Sequence, residues 1–212
     1  PVDNIVASDP PQIQQQKLAL LAEQDFRFRN QTSQEAVIEA AIKNYEKAFS
    51  MQASIPGLAD LSDEPEYIHR LYGTNSKNEF QKYYAMQCLR ARRLVEQGVR
   101  FIEITCPLTH VNNSPWDQHG NLVKHHNENA LITDQSVAAL IKDLKQRGLL
   151  DETIVIWAGE MGRTPHTPKI TETVGRDHHV NGYSIFLAGG GFKGGSAYGL
   201  TDEFGNSVAE NP

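Results

Sequence analysis

No segment limits the fold of this chain more than Thr153-Ile-Val-Ile-Trp-Ala158, an unbroken uncharged run whose four central residues are all large and apolar. A run without polar alternation is the pattern of a strand covered on both faces, as in a parallel sheet packed between helices. The residues before it form a helix near 128–147, with Val137, Leu140, Ile141 and Leu144 on one face and Gly148 as its stop. The same grammar occurs upstream. Phe80, Tyr83, Tyr84, Cys88, Leu94 and Val95 mark a helix that starts at Glu79 and ends at Gly98, and Val99–Thr105 follows as a strand. A third strand, Tyr183–Ala188, runs into Gly189-Gly190-Gly191. Strand, crossover helix, strand is a βαβ unit, right-handed if its strands share a sheet. The expected class is therefore α/β with a mainly parallel central sheet.

The front of the chain reads differently. Leu18, Leu21 and Ala22 mark a helix over about 12–30, and Val37, Ala41, Tyr45 and Ala48 mark a second over about 33–51. Pro56-Gly57 is expected to break that helix, and residues 58–78 read as turns. The expected organisation is a helical section with loops over 1–78 and an α/β section over 79–212, one domain overall at this length. A start at Pro1 and an end in turn-like residues suggest a piece of a longer or processed polypeptide. Twenty Lys and Arg against 26 Asp and Glu give a net charge of -6, so no global positive field exists to draw nucleic acid. No run reaches the roughly 18 apolar residues of a membrane span. The two cysteines, Cys88 and Cys106, are too few for a disulfide framework.

Chemistry concentrates where the strands are expected to end. Seven of the eight histidines fall between His110 and His179, most of them in loops leaving the strands, and open α/β sheets bind ligands at those strand ends. In Trp116-Asp-Gln-His-Gly120, an extended backbone turns Asp117 and His119 to one side, where they can offer a carboxylate oxygen and an imidazole nitrogen to a cation. Trp116 can wall such a site; the bland alternative is an Asx turn with a solvent-facing histidine. In Gly159-Glu-Met-Gly-Arg-Thr-Pro165, Glu160 is a candidate metal ligand and Arg163 a candidate catalytic group for an oxyanion, or the two form an ion pair that fastens the loop. In Gly175-Arg-Asp-His-His179, Asp177, His178 and His179 are candidate ligands. Consecutive residues of a strand cannot all face one ion, so one or two bind and the rest support them. A surface histidine pair is the alternative.

Other signals weaken on inspection. Gly189, Gly191 and Gly194 match the spacing of a dinucleotide loop, but the residues after Gly195 open no helix to receive a pyrophosphate. His125 and His126 read as a solvated helix start, with ligation as the alternative. Cys106, followed by Pro107, reads better as a buried thiol than as a nucleophile.

Taken together, the series WDQHG, DLKQRGLLDETIVIWAGEMGRTP, GRDHH, LAGGGFKGG and YGLTDEFG resembles a bacterial family of exported, sulfatase-like proteins. That family is catalogued as domain of unknown function 1501, within the alkaline phosphatase superfamily. The resemblance runs from about Gln12 to the end of the chain. It implies a three-layer α/β/α alkaline-phosphatase-like fold and an exported location, periplasmic or extracellular. It also implies paired divalent metal ions, of zinc, calcium, manganese or magnesium, and an activated hydroxyl that together cleave sulfate or phosphate esters. Where the superfamily places an Asp-His pair after a central strand, this chain has Glu160-Met161, so Glu160 stands for the aspartate. The superfamily's nucleophile comes from an early strand not found here, which makes the chain the latter part of a split domain and the remainder of that domain a partner.

The leading expectation is metal-dependent hydrolysis of a small-molecule or glycan sulfate or phosphate ester, with the metal lowering the pKa of a bound hydroxyl and Arg163 stabilising developing charge. The alternative is a non-catalytic binding or surface protein that retains the fold.

Overall fold

The computed structural model describes residues 9–29, 35–107, 116–167 and 170–211. The chain divides into two compact units, residues 1–62 and 63–212.

In the first unit α1 (Pro11–Arg29) and α2 (Glu35–Ala59) contact one another. Most of the apolar positions that mark them in sequence stay open, with Leu21 53% exposed and Tyr45 76%, while Leu18 is half-buried. The ends of the expected helices at Asn30 and Ser33, and the Ala48 side chain, lie outside the described residues. Pro56-Gly57 does not break α2, which continues to Ala59. A proline removes one backbone donor and crowds the carbonyl four residues earlier; here it stands in the last turn, so little helix depends on it.

The second unit is built on helix packing. Residues expected to be turns contain α3 (Glu66–Tyr72), closed by Gly73 in the left-handed region at φ 83°. Asn78 caps α4 (Glu79–Glu96), its Oδ1 accepting from the amides of Phe80 and Gln81, and Gly98 follows at φ 76°. The next helix, α5 (Leu122–Gln146), starts six residues before the expected Glu128 and packs on α3 and α4. Ile132, Ser136, Ala139, Leu140, Asp143 and Leu144 recur at helical spacing on its buried face, against Tyr72, Leu89 and Cys88 of the core. Each fully buried Leu or Ile contributes roughly 1.5–3 kcal/mol. A buried guanidinium ties this layer: Arg92 lies 2.6 Å from carboxylate oxygens of both Glu64 and Glu96 and 3.1 Å from Asp143. Asp143 also accepts from Arg147 and from the Tyr72 hydroxyl.

After a 3-10 turn (Leu150–Glu152) the chain forms β1 (Ile154–Trp157), β2 (Gly162–Arg163), β3 (His178–His179), β4 (Phe186–Gly189), β5 (Leu200–Thr201) and β6 (Val208–Glu210). The molecule is thus mixed α/β. Every described strand pair is antiparallel, β1 with β4, β2 with β3 and β5 with β6. The expected parallel pairing is not seen between β1 and β4, because the described residues between them hold no crossover helix, which a parallel return requires. Residues 99–105 form no strand: their burial alternates from Phe101 to Cys106, but no described strand pairs with them. Nor is β1 covered on both faces, since Ile154 and Ile156 are 52% and 62% exposed.

Candidate functional site

Two short loops and one small ladder build the site. The loop 116–122 is zipped to 173–176 by three backbone bonds: Asn121 N to the Thr173 carbonyl at 3.1 Å, Leu122 N to Val174 at 2.9 Å and Arg176 N to Gln118 at 2.9 Å. Gly175 makes this approach possible, since a Cβ there would lie 2.0 Å from the His119 carbonyl carbon and oxygen. The ladder between β2 and β3 pairs Gly162 with His179 and Arg163 with His178. At Gly162 a Cβ would lie 2.3 Å from the Gly182 carbonyl oxygen, so only glycine permits that register. Directly opposed residues share a face of a sheet, and adjacent ones do not. Arg163 and His178 therefore turn together toward Asp117, while His179 turns away and places Nε2 2.6 Å from the Asn206 carbonyl oxygen.

Asp117 Oδ1 is the hub. Arg163 Nη1 and His178 Nε2 both lie 2.8 Å from it, and His119 Nε2 lies 2.9 Å away. One ligand atom each from Asp117, His119 and His178 fall within 4.8 Å of one another. The bond from His178, reinforced by the charges of His119 and Arg163, holds the Asp117 carboxyl below the usual carboxylate range despite some burial. Asp177 stands outside this group; its Oδ1 lies 2.9 Å from His119 Nδ1 and orients that ring. Glu160 also stands outside, its Oε1 accepting from Arg163 Nη2 at 3.0 Å, which is the loop-fastening ion pair of the bland reading. Arg163 thus bridges two carboxylates.

The expected ligands separate into those that meet, Asp117, His119 and His178, and those that support or turn aside, Glu160, Asp177 and His179. Their frame includes residues that carried no signal in the sequence. Thr164 Oγ1 accepts from the Asp177 amide at 3.1 Å, and Arg176 Nη1 donates to the Thr164 carbonyl at 2.7 Å. Both contacts depend on a ladder closed across a loop, which no local spacing reveals. Trp116 donates from Nε1 to Cys106 Sγ at 3.1 Å and meets Trp157 and His126 edge-on. His125 and His126 lie within the first turns of α5, His125 buried and His126 with Nδ1 3.3 Å from Gln118 Oε1. His110 lies outside the described residues.

Beside the cluster is a cavity of about 1640 Å³. Glu160 and Arg163 reach it from the site, and Trp116, Cys106, Ile104 and Trp157 form part of its wall. Burial raises the pKa of the Cys106 thiol, keeping it protonated. No described helix is long and apolar enough to cross a membrane. Residues 4–212 match the model of a family described as protein of unknown function (DUF1501). No curated protein and no solved structure matches the chain.

Proposed function

Because this chain belongs to the DUF1501 family of proteins of unknown function, we propose an activity for it from its own residues: divalent-cation-dependent hydrolysis of sulfate or phosphate esters. The observation that carries this reading is the convergence of Asp117, His119 and His178 with the Arg163 guanidinium on the same carboxylate. One carboxylate oxygen and two imidazole nitrogens fit the donor chemistry of zinc or manganese better than the all-oxygen shells of calcium or magnesium. A bound cation there supplies a hydroxide near neutral pH and neutralises ester oxygens. The residues do the rest: Asp117, His119 and His178 hold the cation, Asp177 fixes the His119 ring, and Arg163 presents two parallel donors to a tetrahedral oxyanion. Glu160 belongs to this reading as the tether of Arg163.

The sulfatase-like character, the alkaline phosphatase superfamily, the three-layer fold and export belong to the same proposal. It requires parallel strands to be added beside β1, on the edge that β4 leaves open. Two features support an added partner from the remainder of the domain. The cavity exceeds the roughly 300–1,000 Å³ of a small-ligand pocket. The exposed Ile154, Ile156 and Phe101 side chains are apolar surface that a further layer would bury.

Cys106 favours a second reading. The thiol that lines the cavity is protonated and held by Trp116, so it is no activated nucleophile, and a non-catalytic binding protein that keeps the cation site accounts for the same geometry. Incubation with 4-nitrophenyl sulfate and 4-nitrophenyl phosphate, with zinc or manganese added, separates the two. Cation-dependent release of nitrophenol that Asp117→Asn abolishes supports the hydrolase. With the remainder of the domain supplied, cation uptake without turnover supports the binding protein, and absence of uptake overturns both.

A further inference from the structure

Arg163 sits where a cation would have to compete with it. Asp117 Oδ1 already has three nitrogens at 2.8–2.9 Å, of Arg163, His178 and His119, and a carboxylate oxygen offers only about two lone-pair directions. A cation ligated by Asp117, His119 and His178 needs an oxygen of that same carboxylate. A positive guanidinium and a divalent cation cannot share it without strong repulsion. The second arm of Arg163 is tied to Glu160, and both residues line the cavity. Released from Asp117, the guanidinium stays tethered within the site with one face of donors free.

We propose, resting on the cation reading above, that Arg163 is the resident counter-ion of Asp117, is exchanged for the cation, and then becomes the receptor for a tetrahedral oxyanion. The device makes cation and oxyanion binding mutually dependent. Without the cation, Arg163 is spent on Asp117 and the oxyanion finds no free fork. With the cation bound, Asp117 no longer needs Arg163, and the positive charge of the ion adds to that of the guanidinium. By linkage the oxyanion must tighten the cation by the factor with which the cation tightens the oxyanion. Glu160 acts as a positioning residue that keeps the released guanidinium at the site.

This assigns Arg163 a signature opposite to that of a structural clamp. Removing a clamp loosens the ligands and weakens the cation; removing a competitor strengthens it. The test is Mn²⁺ binding to the 212-residue chain, followed by electron paramagnetic resonance, with and without inorganic phosphate. In Arg163→Gln the expected result is Mn²⁺ affinity raised roughly three- to fivefold, the effect of a part-exposed ion pair, and most of the dependence on phosphate lost. Arg163→Lys, which keeps the charge without the fork, should stay near the wild-type Mn²⁺ affinity and lose most of the phosphate coupling. Matching thermal melts show that each variant is folded. Lower or unchanged Mn²⁺ affinity in Arg163→Gln, or phosphate coupling undiminished in it, overturns the exchange while leaving the cation reading intact. A wild-type chain that takes up no Mn²⁺ overturns the exchange, and one that takes up no Zn²⁺ either removes the cation reading with it.

Discussion

Gly175→Ala is the smallest change that should take the site apart. The added methyl would lie 2.0 Å from the carbonyl carbon and oxygen of His119 and 2.3 Å from the amide nitrogen of Gly120. These are backbone atoms and no rotamer relieves the clash, so the two segments must separate by more than 1 Å to reach van der Waals contact near 3.5 Å. The three backbone bonds that zip them, at 2.9–3.1 Å, cannot survive such a shift. Overpacking of this kind costs about 1–3 kcal/mol, or about 2–12 °C in melting temperature for a unit of 150 residues. The functional loss should be larger in proportion. His119 rides on one segment, while His178 and the Asp177 that orients His119 ride on the other. Cation affinity should therefore fall about 10- to 100-fold, as when groups that orient metal ligands are lost. Calorimetric titration with Mn²⁺ and a thermal melt measure both. Gly194→Ala is the control, since nothing lies within 4 Å of a Cβ there and its φ is ordinary. A Gly175→Ala protein with the wild-type melt and Mn²⁺ affinity would refute the claim that the close approach of these loops builds the site.

Two predictions concern the frame beneath the site. Arg92→Met leaves the carboxylates of Glu64 and Asp143 buried without their guanidinium, and breaking such a network costs about 3–5 kcal/mol; a fall of less than about 3 °C in a thermal melt would show that the network is not integral to the fold. Burial pushes the Cys88 thiol up to about 12 and raises that of Cys106, and the thiolate is the reactive form. Native chain should therefore label slowly with a maleimide at pH 7 and faster as pH rises, Cys106 ahead of Cys88; rapid labelling of both at pH 7 would contradict the burial of these thiols.

What the sequence disclosed was local. Glu79 and Gly98 bound α4 because a helix start and a left-handed glycine are each written within a turn of local sequence and need no distant partner. Asp117 and His119 were legible as a pair because residues two apart share a side of an extended chain. The choice of His178 over its neighbours was not legible, since it depends on the register with Arg163 that Gly162 permits from across a loop. The Arg163–Asp117 contact is hidden for the same reason: the sequence offers Arg163 either an oxyanion or Glu160, three residues away, while its second carboxylate lies 46 residues back. Strand direction is equally non-local. The apolar run at Ile154–Trp157 marks a strand, but the antiparallel return of β4 depends on a connection without a helix, and residues 99–105 show strand-like alternation without a partner to pair with.

The central claim is that Asp117, His119 and His178 together hold one divalent cation. Equilibrium dialysis of the chain against zinc or manganese, followed by elemental analysis, tests it directly when wild type is compared with Asp117→Asn and His178→Gln. About one equivalent is expected in the wild type and a large loss in each variant, with the thermal melts of the metal-free proteins alike. Equal metal content in all three proteins, or none in the wild type, would contradict it.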